Sequence, residues 1–269
     1  ACGAALASLA AQAQFVEEVP FITSPDNVTL EMLRLAKVGP GDHVVDLGSG
    51  DGRIVIVAAQ RFGATGLGVE IVPKLVEASR RNAAQAGVAD KVTFEEQDLY
   101  RTDLSRATVV TMYLLPEVNL QLRPRLLKLR PGTRVVSHDW DMGDWKPDRS
   151  SSVDVPDKQI GLAKTSKVMA WTVPAQVDGL WCGSGPLREF SLRLKQQHQE
   201  VTGELLRRDR ARTIEGHLDG NVLRTQATKV GALVLELEGE KLKITDGDGP
   251  LALVRGQSFT RSEAATCTG

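Results

Sequence analysis

The 269-residue chain predicts an α/β first half, a parallel sheet with helices on both faces, followed by a small antiparallel β domain. Three observations carry this. From about Ser24 to Pro174, short β-branched runs alternate with helical patterns, as in successive βαβ units. Within them, Val44 to Arg53 reads VVDLGSGDGR: an apolar run ends in an acid, then breaks into glycines at alternate positions, Gly48, Gly50 and Gly52. After Pro174 the helical period gives way to alternation with period two, punctuated by Asp-Gly and Gly-Asn turns.

The elements follow in order. Ser24 before Pro25 marks a helix start, with Ser as N-cap and Pro at the first helical position. Val28, Met32, Leu35 and Ala36 then share one face, and Gly39-Pro40-Gly41 stops the helix. A first strand runs from His43 to Leu47, a helix from Arg53 to Phe62, and a second strand from Gly66 to Glu70. Pro73 opens a helix that Gly87 closes. Third and fourth strands are expected at Val92–Gln97 and Thr108–Tyr113. A helix from Pro116 to Leu129 precedes a fifth strand at Arg134–His138. The polar stretch 139–164 reads as a long loop over the carboxyl edge of the sheet, and Val168–Pro174 as a further strand. Beyond it, runs such as Phe190–Leu194, Thr213–Leu218 and Leu233–Leu237 predict an antiparallel sheet or barrel over 176–255.

The predicted organisation is therefore a leader at 1–19, an α/β domain at 20–175, a β-rich domain at 176–255 and a disordered tail at 256–269. Gly3 to Phe15 is rich in Ala and Leu and ends in Ala11-Gln12-Ala13, the small-x-small pattern of a signal-peptide cleavage site, although no charged n-region precedes it. Location is thus expected to be cytoplasmic, or periplasmic if that segment is a signal-peptide remnant.

With a net charge of −1 and 25% charged residues, the composition gives no electrostatic reason to expect nucleic acid. Arg123-Pro124-Arg125 and Arg207-Arg208-Asp209-Arg210 read as solvated faces. No apolar run reaches the ~18 residues of a bilayer span. Cys2, Cys182 and Cys267 are too scattered for a disulfide framework, and the four histidines have no metal-ligand spacing. No metal is expected.

Three acids end consecutive strands: Asp46, Glu70 and, just past the third strand, Asp98. In an open parallel sheet the ligand crevice lies outside the carboxyl ends of the strands. Glu70 is placed to accept hydrogen bonds from ribose hydroxyls and Asp98 from an adenine amino group. Asp46 and Asp51 flank the glycines, and Leu99 follows Asp98. A phosphate loop wants backbone N–H groups and a lysine, as in GxxxxGK[ST]. Here carboxylates stand beside the glycines and no lysine does. That chemistry repels pyrophosphate and suits a ligand bearing an ammonium and a sulfonium.

Asp46–Val55, Tyr113–Asn119 and Arg134–His138 resemble the class I S-adenosylmethionine-dependent methyltransferases. Within these, they are similar to the small lysine methyltransferases that include the ATP synthase c-subunit enzyme and bacterial relatives. The resemblance covers about residues 20–145, and Phe21-Ile22-Thr23-Ser24 departs from the family's usual form. It implies a Rossmann-like methyltransferase sheet and S-adenosylmethionine held by Asp46, Gly48, Ser49, Gly50, Asp51, Gly52, Glu70, Asp98 and Leu99. The implied reaction is methyl transfer to a protein lysine. Tyr113 suits a slot for an aliphatic amine; its plain alternative is a strand-end aromatic packed on the next helix. His138 and Asp139 are candidates for assisting deprotonation, with helix capping as the alternative. Expected partners are a protein with an accessible lysine, or a small amine or other metabolite. Oligomeric state is left open. A non-enzymatic envelope protein retaining the fold is the competing class.

Overall fold

A computed structural model describes residues 22–267 except 160, 209 and 230. The expected leader lies outside the described residues, as do Pro20 and Phe21. Helix α1 spans Asp26–Leu35 and strand β1 His43–Leu47. Next come α2 (Arg53–Phe62), β2 (Thr65–Glu70), α3 (Pro73–Gln85) and β3 (Val92–Glu96). They are followed by β4 (Val109–Met112), α4 (Pro116–Leu126), β5 (Arg134–His138), β6 (Arg149–Asp154) and β7 (Thr165–Thr172).

These strands form one sheet in the order β3-β2-β1-β4-β5-β7-β6. The first five are parallel, and β7 runs antiparallel to both β5 and β6. Strand order reverses between β1 and β4, which opens a crevice at their carboxyl ends.

The central strands are buried on both faces, so they read as unbroken apolar runs rather than as alternation. Val44, Val109 and Val136 face α1 and α2, packing on Met32, Ile54 and Ala58. Their neighbours Val45, Val110 and Val135 face α4 and pack on Leu122, Leu126, Trp145 and Trp171. A pair of adjacent valines on each strand thus supplies one residue to each side of the sheet.

Several expectations are corrected. Ser24 is not a cap: Pro25 occupies the N-cap position, no side chain among the described residues caps α1, and Ser24 Oγ bonds instead to His138 Nδ1 at 2.8 Å. The stretch 139–164 is not all loop, because Arg149–Asp154 forms the edge strand β6. Its Arg-Ser-Ser-Ser-Val-Asp composition carries no apolar signal; backbone pairing to β7 makes it a strand. Arg123 and Arg125 are not a solvated face. Arg123 donates to Met142 O and pairs with Asp144, while Arg125 donates to the carbonyls of Leu99, Tyr100 and Thr102. Both guanidiniums tie α4 to neighbouring loops.

The remaining strands are β8 (Gly179–Gly183), β9 (Phe190–Gln197), β10 (Glu200–Arg207), β11 (Arg210–Asp219), β12 (Val222–Thr225), β13 (Leu233–Glu238), β14 (Lys241–Gly247) and β15 (Ser258–Ser262). They close into an antiparallel barrel in which each strand pairs with its sequence neighbours and β15 returns to β8. Alternate residues point inward: Leu192 and Leu194, Leu233 and Leu235, and Leu242 and Ile244 fill the interior with Trp181 and Phe259.

The expected boundary at 255 fell short, since β15 lies beyond it. Closure is the physical reason: without β15, strands β8 and β14 would each expose an edge. The tail is likewise not free of structure, because Cys267 is disulfide-bonded to Cys182 on β8. Scattered spacing hid that pair, 85 residues apart in sequence.

The barrel docks on the sheet's amino-terminal edge, where β5 begins and β7 ends. Ala175 N donates to Gly220 O, and a side chain on Gly220 would strike Gly132. Gln199 Nε2 donates to Lys146 O at 2.6 Å, and His217 pairs with Asp148.

Candidate active site

The loop after β1 carries Gly48, Gly50 and Gly52 in the left-handed region, with φ of 74°, 55° and 81°. Only glycine adopts this repeatedly without strain. Space forbids side chains as well. A Cβ on Gly48 would lie 2.8 Å from Leu114 Cδ2, and one on Gly52 would lie 2.7 Å from the Phe94 ring. The backbone N–H groups of Gly48 and Ser49 both donate to Val69 O at 2.9 Å, which fastens the loop across the end of β2.

Around this loop the strand-end acids take separate postures. Asp46 is buried, and its Oδ1 accepts from Thr111 Oγ1 on β4 at 2.7 Å. Burial is the main cause that pushes its carboxyl up to about 7; the Thr111 bond opposes the rise, while the Glu70 and Asp51 carboxylates add to it. Glu70 reaches across the crevice floor: Oε2 accepts from Gly50 N at 3.0 Å, and Oε1 from the backbone N–H groups of Ile71 and Val72. Asp98 Oδ1 accepts from Tyr100 N, capping the short turn Leu99–Arg101. Leu99 leans on the core below. Asp51 is occupied differently from the other acids, because Arg53 grips its carboxylate at 2.7 Å and also donates to Ser24 O. Ser49 Oγ is buried without a partner among the described residues.

These residues fit S-adenosylmethionine. Carboxylates line the crevice with no lysine in the loop, the glycine at 48 clears backbone for close approach, and Ile71, 67% exposed, offers an aliphatic face beside Glu70. Sequence reasoning missed Ile71, whose exposure was its signal and is not visible in a sequence.

On the other side of the crevice, at the ends of β4 and β5, the Tyr113 and His138 rings stack with centroids 3.9 Å apart. His138 is buried between two hydroxyls, Ser24 Oγ on Nδ1 and Ser166 Oγ on Nε2, at 2.8 and 2.9 Å. Burial pulls its imidazole down to about 4; Asp139 opposes this and Lys158 adds to it. It is therefore neutral at neutral pH. Tyr113 is held above its ordinary range by burial and by Asp139, so it stays a phenol.

Asp139 adopts a left-handed φ of 63°, an uncommon posture for a residue with a side chain. Its backbone N–H donates to Lys167 O and its Oδ1 accepts from Lys167 N. Its Oδ2 holds Lys158 Nζ at 2.7 Å. Tyr113, His138 and Lys158 border a cavity of about 120 Å³ together with Thr23, Pro25 and Ser166. Ser24, Ser166 and Lys158 were not expected here; they come from segments far apart in the chain. Of the leucines after Tyr113, Leu114 packs on the core whereas Leu115 is exposed.

The fold and this edge define an S-adenosylmethionine-dependent methyltransferase of the Rossmann-like class. Residues 46–149 match the family model described as the ANTKMT methyltransferase domain. A protein-lysine N-methyltransferase of Saccharolobus islandicus is 43% identical over 135 residues, 49% of this chain and 84% of the relative. The human lysine N-methyltransferase of the ATP synthase c-subunit is 36% identical over 48% of this chain and 54% of its own length. A crystal structure of a protein from Salinibacter ruber with S-adenosyl-L-homocysteine, described as an RNA methyltransferase, is 52% identical. It matches with a TM-score of 0.52 over 58% of this chain and 96% of that one.

The chain belongs to this methyltransferase family. It spans most of the archaeal relative and about half the length of the human one. The family model stops at residue 149, before the barrel begins.

Proposed function

We propose that the acceptor is the side-chain amine of a protein lysine. The observation that carries this is the acceptor side of the crevice, where the Asp139 carboxylate already holds an alkylammonium, that of Lys158, beside the Tyr113 ring. A carboxylate and an aromatic face attract an organic cation; the same carboxylate repels a phosphodiester. The archaeal and human relatives named as lysine methyltransferases support the reading. The Salinibacter ruber relative makes RNA the acceptor to test against it.

Bound S-adenosylmethionine supplies a methyl group activated by a sulfonium. The chain's own work is to hold, orient and dry the reactants. In this reading Glu70 takes the ribose hydroxyls, Asp98 the adenine amino group, and Leu99 with Ile71 the faces of the purine. Asp46 faces the ammonium, while Gly48, Ser49, Gly50 and Gly52 shape the backbone cradle. Asp51, gripped by Arg53, sets the loop's form rather than meeting the ligand's charge.

Tyr113 walls the amine channel. An amine must lose its proton before it attacks, and removal from water favours the neutral form. Asp139 receives the ammonium and guides its proton outward. His138, neutral and satisfied on both nitrogens, braces Tyr113 as a positioning residue instead of acting as the base.

The test uses cofactor with a labelled methyl group and separated protein, RNA and small-molecule fractions of a cell extract. Label in protein, mapped to lysine by peptide mass spectrometry, is the expected result. Label confined to RNA or to small molecules overturns the reading. Cofactor binding is checked separately by calorimetry, where Glu70→Ala should lose about 10- to 100-fold, the worth of charge-assisted hydrogen bonds.

A further inference from the structure

Lys158 belongs to no motif, yet the topology brings it to the acceptor crevice. Strand β6 runs in the same direction as β5, because both are antiparallel to β7. It therefore ends at the sheet's carboxyl edge, and Val155, Lys158 and Gln159 beyond it border a cavity with Tyr113 and His138, at the ends of β4 and β5. The Lys158 side chain is 13% exposed, and its Nζ meets Asp139 Oδ2 at 2.7 Å and Thr165 O at 2.7 Å.

A purely structural ion pair would be served better by arginine, whose planar fork matches a carboxylate bidentately. It would also be packed on every side, but Lys158 borders a cavity walled by Tyr113 and His138. Asp139 is held in its left-handed posture by two bonds to Lys167, so the carboxylate is aimed before any amine arrives.

We propose that Lys158 is an internal pseudosubstrate: its ammonium occupies the acceptor position at Asp139, and it is itself a methylation site. The proposal rests on the lysine reading of the acceptor. In the step, Nζ first gives a proton to the Asp139 carboxylate and thence to water. Its lone pair then attacks the methyl carbon of bound S-adenosylmethionine. The N–C bond forms as the C–S bond breaks, and sulfur keeps the bonding pair to leave neutral S-adenosylhomocysteine. A protein acceptor must displace the Lys158 side chain from Asp139 before it can be methylated.

Two readouts test this. The full-length chain is incubated with S-adenosylmethionine alone and its peptides are mapped. Methyl groups on Lys158, gained at a fractional rate independent of chain concentration, are expected; Lys158→Arg should abolish them. Independently of turnover, binding of Nα-acetyl-lysine amide is measured with no cofactor present. Lys158→Met, which keeps the aliphatic stem and frees Asp139, should bind it about tenfold more tightly than the native chain, by about 1.4 kcal/mol.

Foreign lysines labelled while Lys158 stays unmodified, with equal binding by Lys158→Met, would overturn the pseudosubstrate and leave the lysine reading standing. Label found only in RNA would overturn both. If Lys158→Met loses binding and Lys158→Arg retains it, the lysine is a structural strut and the proposal fails.

Discussion

Asp46 and His138 are both buried, and burial disfavours the charged form of each. The consequences for stability have opposite sign. Between about pH 4 and 7 the folded chain keeps the Asp46 proton that an unfolded carboxylate, near 3.9, has lost. Stability from this group therefore falls as pH rises through that window. Between about pH 6.5 and 4 an unfolded histidine takes up a proton that buried His138 refuses, so stability from it falls as pH drops. The two slopes oppose each other in the native chain. Asp46→Asn should uncover the histidine slope, with urea midpoints falling on acidification, and His138→Gln should uncover the reverse. Flat urea midpoints in both variants would show that neither group is held neutral by the fold. Cofactor affinity follows from the same residue. In the proposed reading ionised Asp46 meets the cofactor's ammonium, so affinity should weaken by roughly tenfold for each pH unit below about 7. Calorimetric titration on either side of neutrality reads that slope, which Asp46→Asn should abolish.

At the scale of elements, the strand–loop–helix from β1 to α2 works because three alternate residues can be left-handed together. Gly48→Ala places a side chain at φ 74° and 2.8 Å from Leu114. It should cost about 1–3 kcal/mol in a denaturant melt and lose cofactor binding by more than about tenfold. Adding Leu114→Ala should relieve the collision but not the backbone strain, so recovery should be partial; full recovery would mean that the left-handed turn is not required. The contact between the segment preceding α1 and β5 is a second case. Ser24→Ala leaves one imidazole nitrogen of His138 buried without a partner, at about 1–3 kcal/mol. Thermal melts should show this loss while circular dichroism stays native.

The α/β sequence pattern was legible because the central strands and their helices obey local rules: paired valines, prolines at the first helical turn of α3 and α4, and glycines after α2 and α3. Edge strand β6 was not, because a serine run has no period to read and its pairing to β7 is a tertiary event.

For the whole molecule, the barrel is set on the edge of the sheet away from the crevice. Loosening that contact should leave the cofactor site intact. Gln199→Ala, which removes the bond to Lys146 O and empties a buried site, should lower the melting temperature while changing cofactor Kd by less than about twofold. A large change in Kd would mean that the barrel shapes the crevice after all. The Cys182–Cys267 bond closes a long loop and should stabilise the folded chain by about 2–4 kcal/mol, read as a drop in urea midpoint when reductant is added. Disulfides persist in oxidising compartments, and on this ground we propose maturation outside the cytoplasm. Alkylation of the chain as isolated from cells, without reduction, tests it: both cysteines protected supports export, and both alkylated places the chain in the cytoplasm.

The glycines at 48, 50 and 52, the acids at 46, 70 and 98, and the alternation of the second half belong to the sequence alone. Each is a local constraint: a backbone angle only glycine tolerates, a charge where a strand ends, a period that matches the pleat. Those constraints were enough for a parallel sheet, a sulfonium-bearing ligand and a separate β unit, and the resemblance made the sheet a methyltransferase's. What only the tertiary structure decided lies between distant segments. Ser24, His138 and Ser166 converge, Arg53 grips the Asp51 carboxylate, β15 closes the barrel, and Lys158 arrives at Asp139. None has a local signature, because hydrogen-bond and charge partners are chosen by proximity in space, which the order of residues does not display.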